Sequence, residues 1–198
     1  MSFSLVAATN NKHKLEEIRA ILSPYDIKVY SLNDLNINVD VEENGKSYKE
    51  NALLKVKAIA KLTSLPVISD DSGIEISALD NAPGIYTARY AESVGGYQKA
   101  FEIIEDKCKE RNDYKALFNC DIALANVEEE PLIFEGRIKG SIAKNIKGSN
   151  GFGFDPIFIS DETGVTNASL SPEEKNRFSA RAKALFELVN YLKSKGLC

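Results

Sequence analysis

Apolar positions recur along this chain in short registers that predict an alternation of strands and helices. Phe3 to Ala8 reads as a short buried strand, and Lys12 to Leu22 carries Leu15, Ile18, Ile21 and Leu22 on one helical stripe. A second strand is predicted over Ile27 to Tyr30, followed by an irregular Asn- and Asp-rich segment through Asn44-Gly45. From Ser47 to Thr63, the residues Ala52, Val56, Ile59, Ala60 and Thr63 return near helical spacing, with Lys49, Glu50, Lys57 and Lys61 on the polar face. Val67 to Ile76 sets two apolar, β-branched runs around Asp70-Asp71-Ser72-Gly73. This predicts strand, sharp turn, strand, with adjacent carboxylates at the bend. In a regular strand the two acids would point to opposite sides, so one is expected to face a cleft and the other to hold the turn.

Further along, Tyr97 to Lys109 is a predicted helix with Phe101, Ile104 and Cys108 on one stripe. Ala116 to Val127 and Leu132 to Ile146 read as long strands, paired as a hairpin across Glu128 to Pro131, whose acids solvate the turn. A final short strand is predicted over Ile157 to Ile159. Ser171-Pro172-Glu173-Glu174 has the signature of a helix start, and Leu185, Leu188, Val189 and Leu192 form a core stripe later in that segment. Lys175 and Arg181 are six positions apart, which on one continuous helix turns them roughly 120° from each other. Service to one ligand therefore requires a helix break near Phe178-Ser179, with Ser179 capping the second piece.

Composition narrows the class. The 198 residues are 43% hydrophobic and 27% charged, as expected for an ordinary soluble enzyme and for one large domain or one domain with two lobes. A net charge of -4 argues against a general nucleic-acid binder, while leaving room for a local basic pocket that takes small anions. Cys108, Cys120 and Cys198 are widely spaced and odd in number, which suggests neither a disulfide framework nor a zinc site and fits a reducing, cytoplasmic setting. His13 is the single histidine, so a multi-histidine metal site is excluded and a Ser-His-Asp triad would have to use that ring. Met1-Ser-Phe-Ser-Leu-Val passes directly into an apolar strand, and no run of about 18 apolar residues occurs, so neither secretion nor a membrane span is expected.

The chemistry-bearing stretches converge on phosphate and base binding. Thr9-Asn10-Asn11-Lys12-His13-Lys14 leaves a strand and opens a helix, where free backbone N–H groups suit phosphate oxygens. The spacing of a Walker A loop is absent, and an Asn N-cap with solvated lysines is the plainer alternative. Glu42 and Glu43 stand before the Asn44-Gly45 turn, and Glu50, Asn51 and Lys55 lie towards one side of their helix. Ala82-Pro83-Gly84 marks a turn with Arg89 after it. Gly148 to Pro156 is glycine-dense with two phenylalanines, which could stack a nucleobase or could be core. Carboxylates for Mg²⁺, cations for phosphates and a ring for a base amount to a nucleoside triphosphate site.

Six motifs in order make the chain resemble the inosine triphosphate pyrophosphatase family: Thr9-x-Asn11-x-x-Lys14, Glu50-Asn51-Ala52 with Lys55, Asp70-Asp71-Ser72-Gly73, Pro83-Gly84, Phe152-Gly153-Phe154-Asp155-Pro156, and Glu174-Lys175-Asn176 before Ser179-x-Arg181. The resemblance implies an α/β fold with a central mixed, strongly twisted sheet, flanking helices and two lobes around a substrate cleft, in a single domain over residues 1–198 that acts as a cytoplasmic homodimer. It implies Mg²⁺-dependent hydrolysis of inosine, deoxyinosine and xanthosine triphosphates to monophosphate and pyrophosphate, with no nucleic-acid or membrane partner. On that pattern Asp71 engages metal and activates water, with Glu43, or its neighbour Glu42, as second metal carboxylate. Thr9, Asn11, Lys14, Lys55, Ser72 and Arg89 hold the triphosphate. Phe152, with Gly153 and Phe154, takes the purine, and Asp155, Lys175 and Arg181 read its edge. Asp70 is left to brace the turn or a nearby lysine.

One departure stands out, because the family pattern Ser-His-Arg is Ser179-Ala180-Arg181 here, which shifts the expected purine discrimination onto Arg181, Lys175 and backbone groups. Two alternatives remain at this point. One is a Maf-type pyrophosphatase of pyrimidine or modified nucleotides, and the other is a non-catalytic nucleotide sensor.

Overall fold

In the computed structural model, which describes residues 3–198, β1 (Phe3–Ala7), β2 (Ile27–Ser31), β3 (Val67–Ile76), β4 (Lys115–Ala125), β5 (Leu132–Ile142) and β6 (Phe158–Ser160) form one sheet of order β2-β1-β3-β4-β5-β6. Its pairing is mixed: β1 runs parallel to β2 and β3, and β6 runs antiparallel to β5. The flanking helices are α1 (Lys12–Leu22), α2 (Tyr48–Ala60), α3 (Thr87–Ser93), α4 (Tyr97–Arg111), α5 (Pro172–Phe178) and α6 (Ala180–Ser194). The expected run into the first strand begins with Met1 and Ser2, which lie outside the described residues.

Two interleaved compact units share these elements. The first comprises Met1–Asp71, Cys120–Gly136 and Arg181–Cys198, and the second comprises Ser72–Asn119 and Arg137–Ala180. In the first unit, α2 lays Ala52, Val56 and Ile59 on Val6, Val67 and Ala123. Burying each of the larger side chains contributes about 1.5–3 kcal/mol. Ser47 caps this helix by accepting a hydrogen bond from Glu50 N at 3.1 Å, and α2 ends at Ala60, three residues before the predicted end, leaving Leu62 exposed. Asn126 explains why β4 stops at Ala125: it takes a left-handed backbone, and its Nδ2 donates to the carbonyls of Ala60, Thr63 and Leu65.

In the second unit, Phe154 packs edge-on against Tyr97 and Phe101, with ring centroids 5.4 and 5.7 Å apart, and Phe118 packs on Phe158 at 4.9 Å. Gly140 permits the approach of β6, since a Cβ there would fall 2.1 Å from Ile159 O. β5 ends at Ile142, short of the predicted Ile146, although Ala143 N still bonds to Ile157 O.

The expected bend at Asp70-Asp71 does not exist. Val67 to Ile76 is one uninterrupted ten-residue strand. A tetrapeptide rich in turn formers stays extended because tertiary partners meet its side chains from both faces: Asp71 accepts from Asn51 of α2, while Asp70 accepts from Arg181 of α6 and pairs with Lys14 of α1. The required helix break does occur, because Ser179 is extended (φ −68°, ψ 157°) between α5 and α6.

Candidate active site

The first unit gathers the acidic strand and three cations. Asn11 caps α1 by accepting from Lys14 N at 3.2 Å, and Thr9 Oγ1 accepts from Asn11 N at 3.1 Å, so the loop after β1 is a capped turn. Of the plainer reading, the Asn cap is present, but Lys14 is not solvated. Its Nζ lies 3.0 Å from Asp70 Oδ2. The same oxygen accepts from Arg181 Nη2 at 3.0 Å and Nε at 3.3 Å, and Arg181 Nη1 pairs with Glu17. Burial of Asp70 opposes its charge, yet Lys14, Arg181 and Lys55 together hold its carboxyl well below the usual carboxylate range.

On the other face of β3, Asp71 Oδ2 accepts from Asn51 Nδ2 at 2.9 Å, and Asn51 Oδ1 accepts from Gly45 N at 2.8 Å. One buried amide thus ties the segment before α2 to the acid. Lys55, one turn further along α2, donates from Nζ to Glu43 Oε1 at 2.5 Å and to the carbonyl of Asp70 at 2.6 Å. Burial works against the Lys55 ammonium, but Asp70, Glu43 and Asp71 outweigh it and raise its pKa. Asp71 moves the other way from Asp70: burial raises its pKa, helped by Glu43, and Lys55 and Asn51 compensate only in part. Two neighbouring acids are thereby driven apart in character by the two faces of one strand.

The second unit holds the aromatic loop. Asp155 is buried and organises it, with Oδ2 accepting from Phe152 N at 2.8 Å and from Lys175 Nζ at 2.5 Å, and Oδ1 accepting from Asn167 Nδ2 at 3.1 Å. Gly151 has φ +74°, and a Cβ on it would sit 2.2 Å from Asp155 Oδ2, so this position requires glycine. Lys175 Nζ stands 4.7 Å from the centroid of the half-buried Phe152 ring. Arg89 lies exposed on α3 with its guanidinium carbon 5.8 Å over the Tyr86 ring, Ser72 is half-buried on β3, and Gly153 has φ +63°.

Several expectations need revision. Phe154 was grouped with Phe152 as a ligand residue, but its ring is 1% exposed and belongs to the aromatic core. Arg181, expected with Lys175 and Asp155 at the base edge, pairs with Asp70 and Glu17 in the first unit. Of Glu42 and Glu43, it is Glu43 that reaches Lys55. Sequence reasoning left Asn51 and Glu17 without a role. Asn51 carried a signal, since a polar residue directly before Ala52 in a buried stripe asks for a partner. Glu17 carried none, being one of two adjacent glutamates on an amphipathic helix.

Among the described residues, no group of three or more His, Cys, Asp and Glu side chains is placed to hold a metal ion. Two carboxylates, Asp71 and Glu43, face the single ammonium of Lys55, and Glu43 adds to the cost of ionising Asp71. Two hard oxygen donors suit a hard divalent cation bound through one or two carboxylates plus substrate phosphates rather than by an all-protein cage.

Buried acids set against lysines in one unit, and an aromatic, acid-braced loop in the other, supply groups suited to phosphate oxygens and to a planar base. A sequence model of the Ham1 family matches residues 5–191, and the chain belongs to that family. It is similar to the dITP/XTP pyrophosphatase of Halalkalibacterium halodurans, with 43% identity over 192 residues covering 94% of this chain and 97% of that protein. The dITP/XTP pyrophosphatase of Thermoanaerobacter sp. (strain X514) is 39% identical over 192 residues, covering 95% and 96%. Among solved structures, a HAM1 protein from Coxiella burnetii superposes with TM-score 0.84 at 36% identity, and the Staphylococcus aureus Ham1 protein with 0.79 at 38%, each covering 97% of this chain and 99% of the other. Among the described residues no helix is long and apolar enough to cross a membrane.

Proposed function

We propose that this chain hydrolyses dITP, ITP and XTP to the monophosphate and pyrophosphate, with Mg²⁺, as a cytoplasmic homodimer. The observation that carries the reading is the buried Asp71, held by Asn51 and set beside Lys55 and Glu43. The names of the related pyrophosphatases support the substrate class.

Asp71 and Glu43 would hold the metal ion, which when bound neutralises charge on phosphate oxygens. The protein's own groups do the rest. Asp71 orients the attacking water towards the α-phosphorus, and a metal ion beside it would counter the burial that raises its pKa. Positioning of that water therefore matters more than strong basicity. Lys14 and Lys55, with Thr9, Asn11, Ser72 and Arg89, take the triphosphate and stabilise charge on the leaving pyrophosphate. Phe152 stacks on the purine, its ring presented by the Gly151–Gly153 turn that Asp155 holds. Lys175 and backbone groups of that loop donate to the 6-oxo group, which adenine lacks. A buried donor left unpaired by adenine would cost on the order of 1–3 kcal/mol.

The test is product analysis with dITP, ITP, XTP, ATP and GTP, with and without Mg²⁺. Pyrophosphate and monophosphate from the first three substrates, released only with the metal, are expected. Orthophosphate and nucleoside diphosphate in place of pyrophosphate and monophosphate, or equal rates on ATP and GTP, would reject the proposal. Size-exclusion chromatography with light scattering tests the dimer, for which a mass near twice 21.8 kDa is expected.

A further inference from the structure

We propose that Asp70, the acid beside the catalytic one, is the positioning residue of the triphosphate subsite. Its carboxylate and its own carbonyl hold Lys14, Lys55 and Arg181 in place. The three cations come from α1, α2 and α6, so chain proximity does not bring them together. Each converges on this one residue. Lys14 Nζ and Arg181 Nη2 are both 3.0 Å from Oδ2, Arg181 Nε is 3.3 Å from it, and Lys55 Nζ is 2.6 Å from the Asp70 carbonyl oxygen. Asp70 itself is 2% exposed and cannot meet a ligand directly.

The distribution of these contacts points away from a purely structural ion pair. Every polar contact of the carboxylate falls on Oδ2, including Cys120 Sγ at 4.0 Å, while Oδ1 is buried and accepts no hydrogen bond. A pair kept for stability alone would use both oxygens, since a buried unsatisfied acceptor is a cost. The observed geometry sacrifices one oxygen and aligns cations around the other. Long lysine side chains lose much rotamer freedom on binding an anion, and fixing them beforehand removes that loss from the binding step. Glu17 gives Arg181 a second fixed point.

Field and position make opposite predictions here. Asp70 is an anion next to cations that are to receive a polyanion, so by Coulomb's law alone its removal strengthens triphosphate binding. If its part is to position, removal weakens binding although the site becomes more positive. The proposal rests on the reading of Lys14 and Lys55 as triphosphate ligands, so inorganic tripolyphosphate is the probe, independent of purine and of turnover.

Calorimetric titration of tripolyphosphate into wild type and Asp70→Asn, both checked for native circular dichroism, is expected to show at least tenfold weaker binding by the variant. KM for ITP should rise by a similar factor with a much smaller change in kcat. Equal or tighter binding by Asp70→Asn overturns the proposal. Wild type that binds no tripolyphosphate removes the subsite reading and the proposal with it. Wild type that binds tripolyphosphate but hydrolyses no nucleotide refutes only the function proposed above, and the Asp70→Asn comparison still decides. Should Asp70→Asn fail to fold, lysine-ammonium NMR of wild type decides, with signals assigned through Lys14→Arg and Lys55→Arg. Slowly exchanging ammonium signals from both lysines are expected in the unliganded protein. Solvent-averaged signals like those of surface lysines overturn the proposal.

Discussion

Arg181 Nη2 donates to Asp70 Oδ2 at 3.0 Å across 111 residues of sequence, while the next residue, Asp71, is turned to the opposite face of β3 and bonded to Asn51. Strand alternation separates two chemically identical acids into an anion compensated by cations and an acid whose burial favours the neutral form. Replacements at the two positions should therefore have contrasting effects.

Asp71→Asn should lower turnover by about 10²–10⁴-fold, the range for loss of a positioned acid–base group. Stability should not fall with it. Burial favours the uncharged form at this position, and an amide can still accept from Asn51, so the melting temperature without added metal is expected to stay level or rise. Pyrophosphate release and a thermal melt on one preparation check both halves. Full turnover by the variant would falsify the assignment of Asp71.

Asp155→Asn leaves the Lys175 ammonium, 8% exposed, facing a neutral amide. Breaking a buried pair by removing one partner costs about 3–5 kcal/mol. Urea denaturation should show a lower midpoint with an unchanged slope. A midpoint within error of wild type would mean that the pair contributes nothing.

Gly151→Ala forces a Cβ against the Asp155 carboxylate in a left-handed backbone. A cost above about 1 kcal/mol is expected from the conformation alone. Since the affected loop is assigned to the purine, KM for ITP should rise while affinity for inorganic tripolyphosphate is unchanged. Weakening of both by one factor would place the loop in phosphate binding instead.

Cys108 and Cys120 are buried and Cys198 is exposed. Burial pushes the Cys120 thiol up to about 12 and that of Cys108 up to about 11. In the native protein at pH 8, Ellman's reagent should find one fast thiol, and three only after unfolding. Two fast thiols would contradict the buried placement. A thiol pKa raised above its unfolded value also makes stability fall as pH rises from about 9 towards 12, because the unfolded chain releases the proton first. Cys120→Ala should flatten that alkaline decline when urea midpoints are compared between pH 8 and 10.5.

Much of the fold was legible in local patterns. The Ile18, Ile21 and Leu22 stripe marked α1 at its observed bounds, and Ser47 and Ser171 announced helix starts that their side chains do cap. The break at Ser179 followed from helical geometry and the assumption of a shared ligand. Arg181, just past the break, pairs with Asp70 and Glu17. The end of β4 was less legible, because it stops where Asn126 finds three carbonyls 61 to 66 residues away in sequence.

By itself the sequence determined most of the elements, though not α3, together with the family and the residue types at the site, since periodicity, capping and motif spacing are properties of neighbouring residues. Only the tertiary structure decided that Asp70-Asp71 is a straight strand and not a bend. Turn propensity is worth little against paired strands and buried partners supplied by three helices. The tertiary structure also decided which phenylalanine is core, which glutamate meets Lys55, and that Arg181 belongs with Asp70. Those assignments depend on burial and on contacts between residues tens to more than a hundred positions apart, which no local pattern encodes.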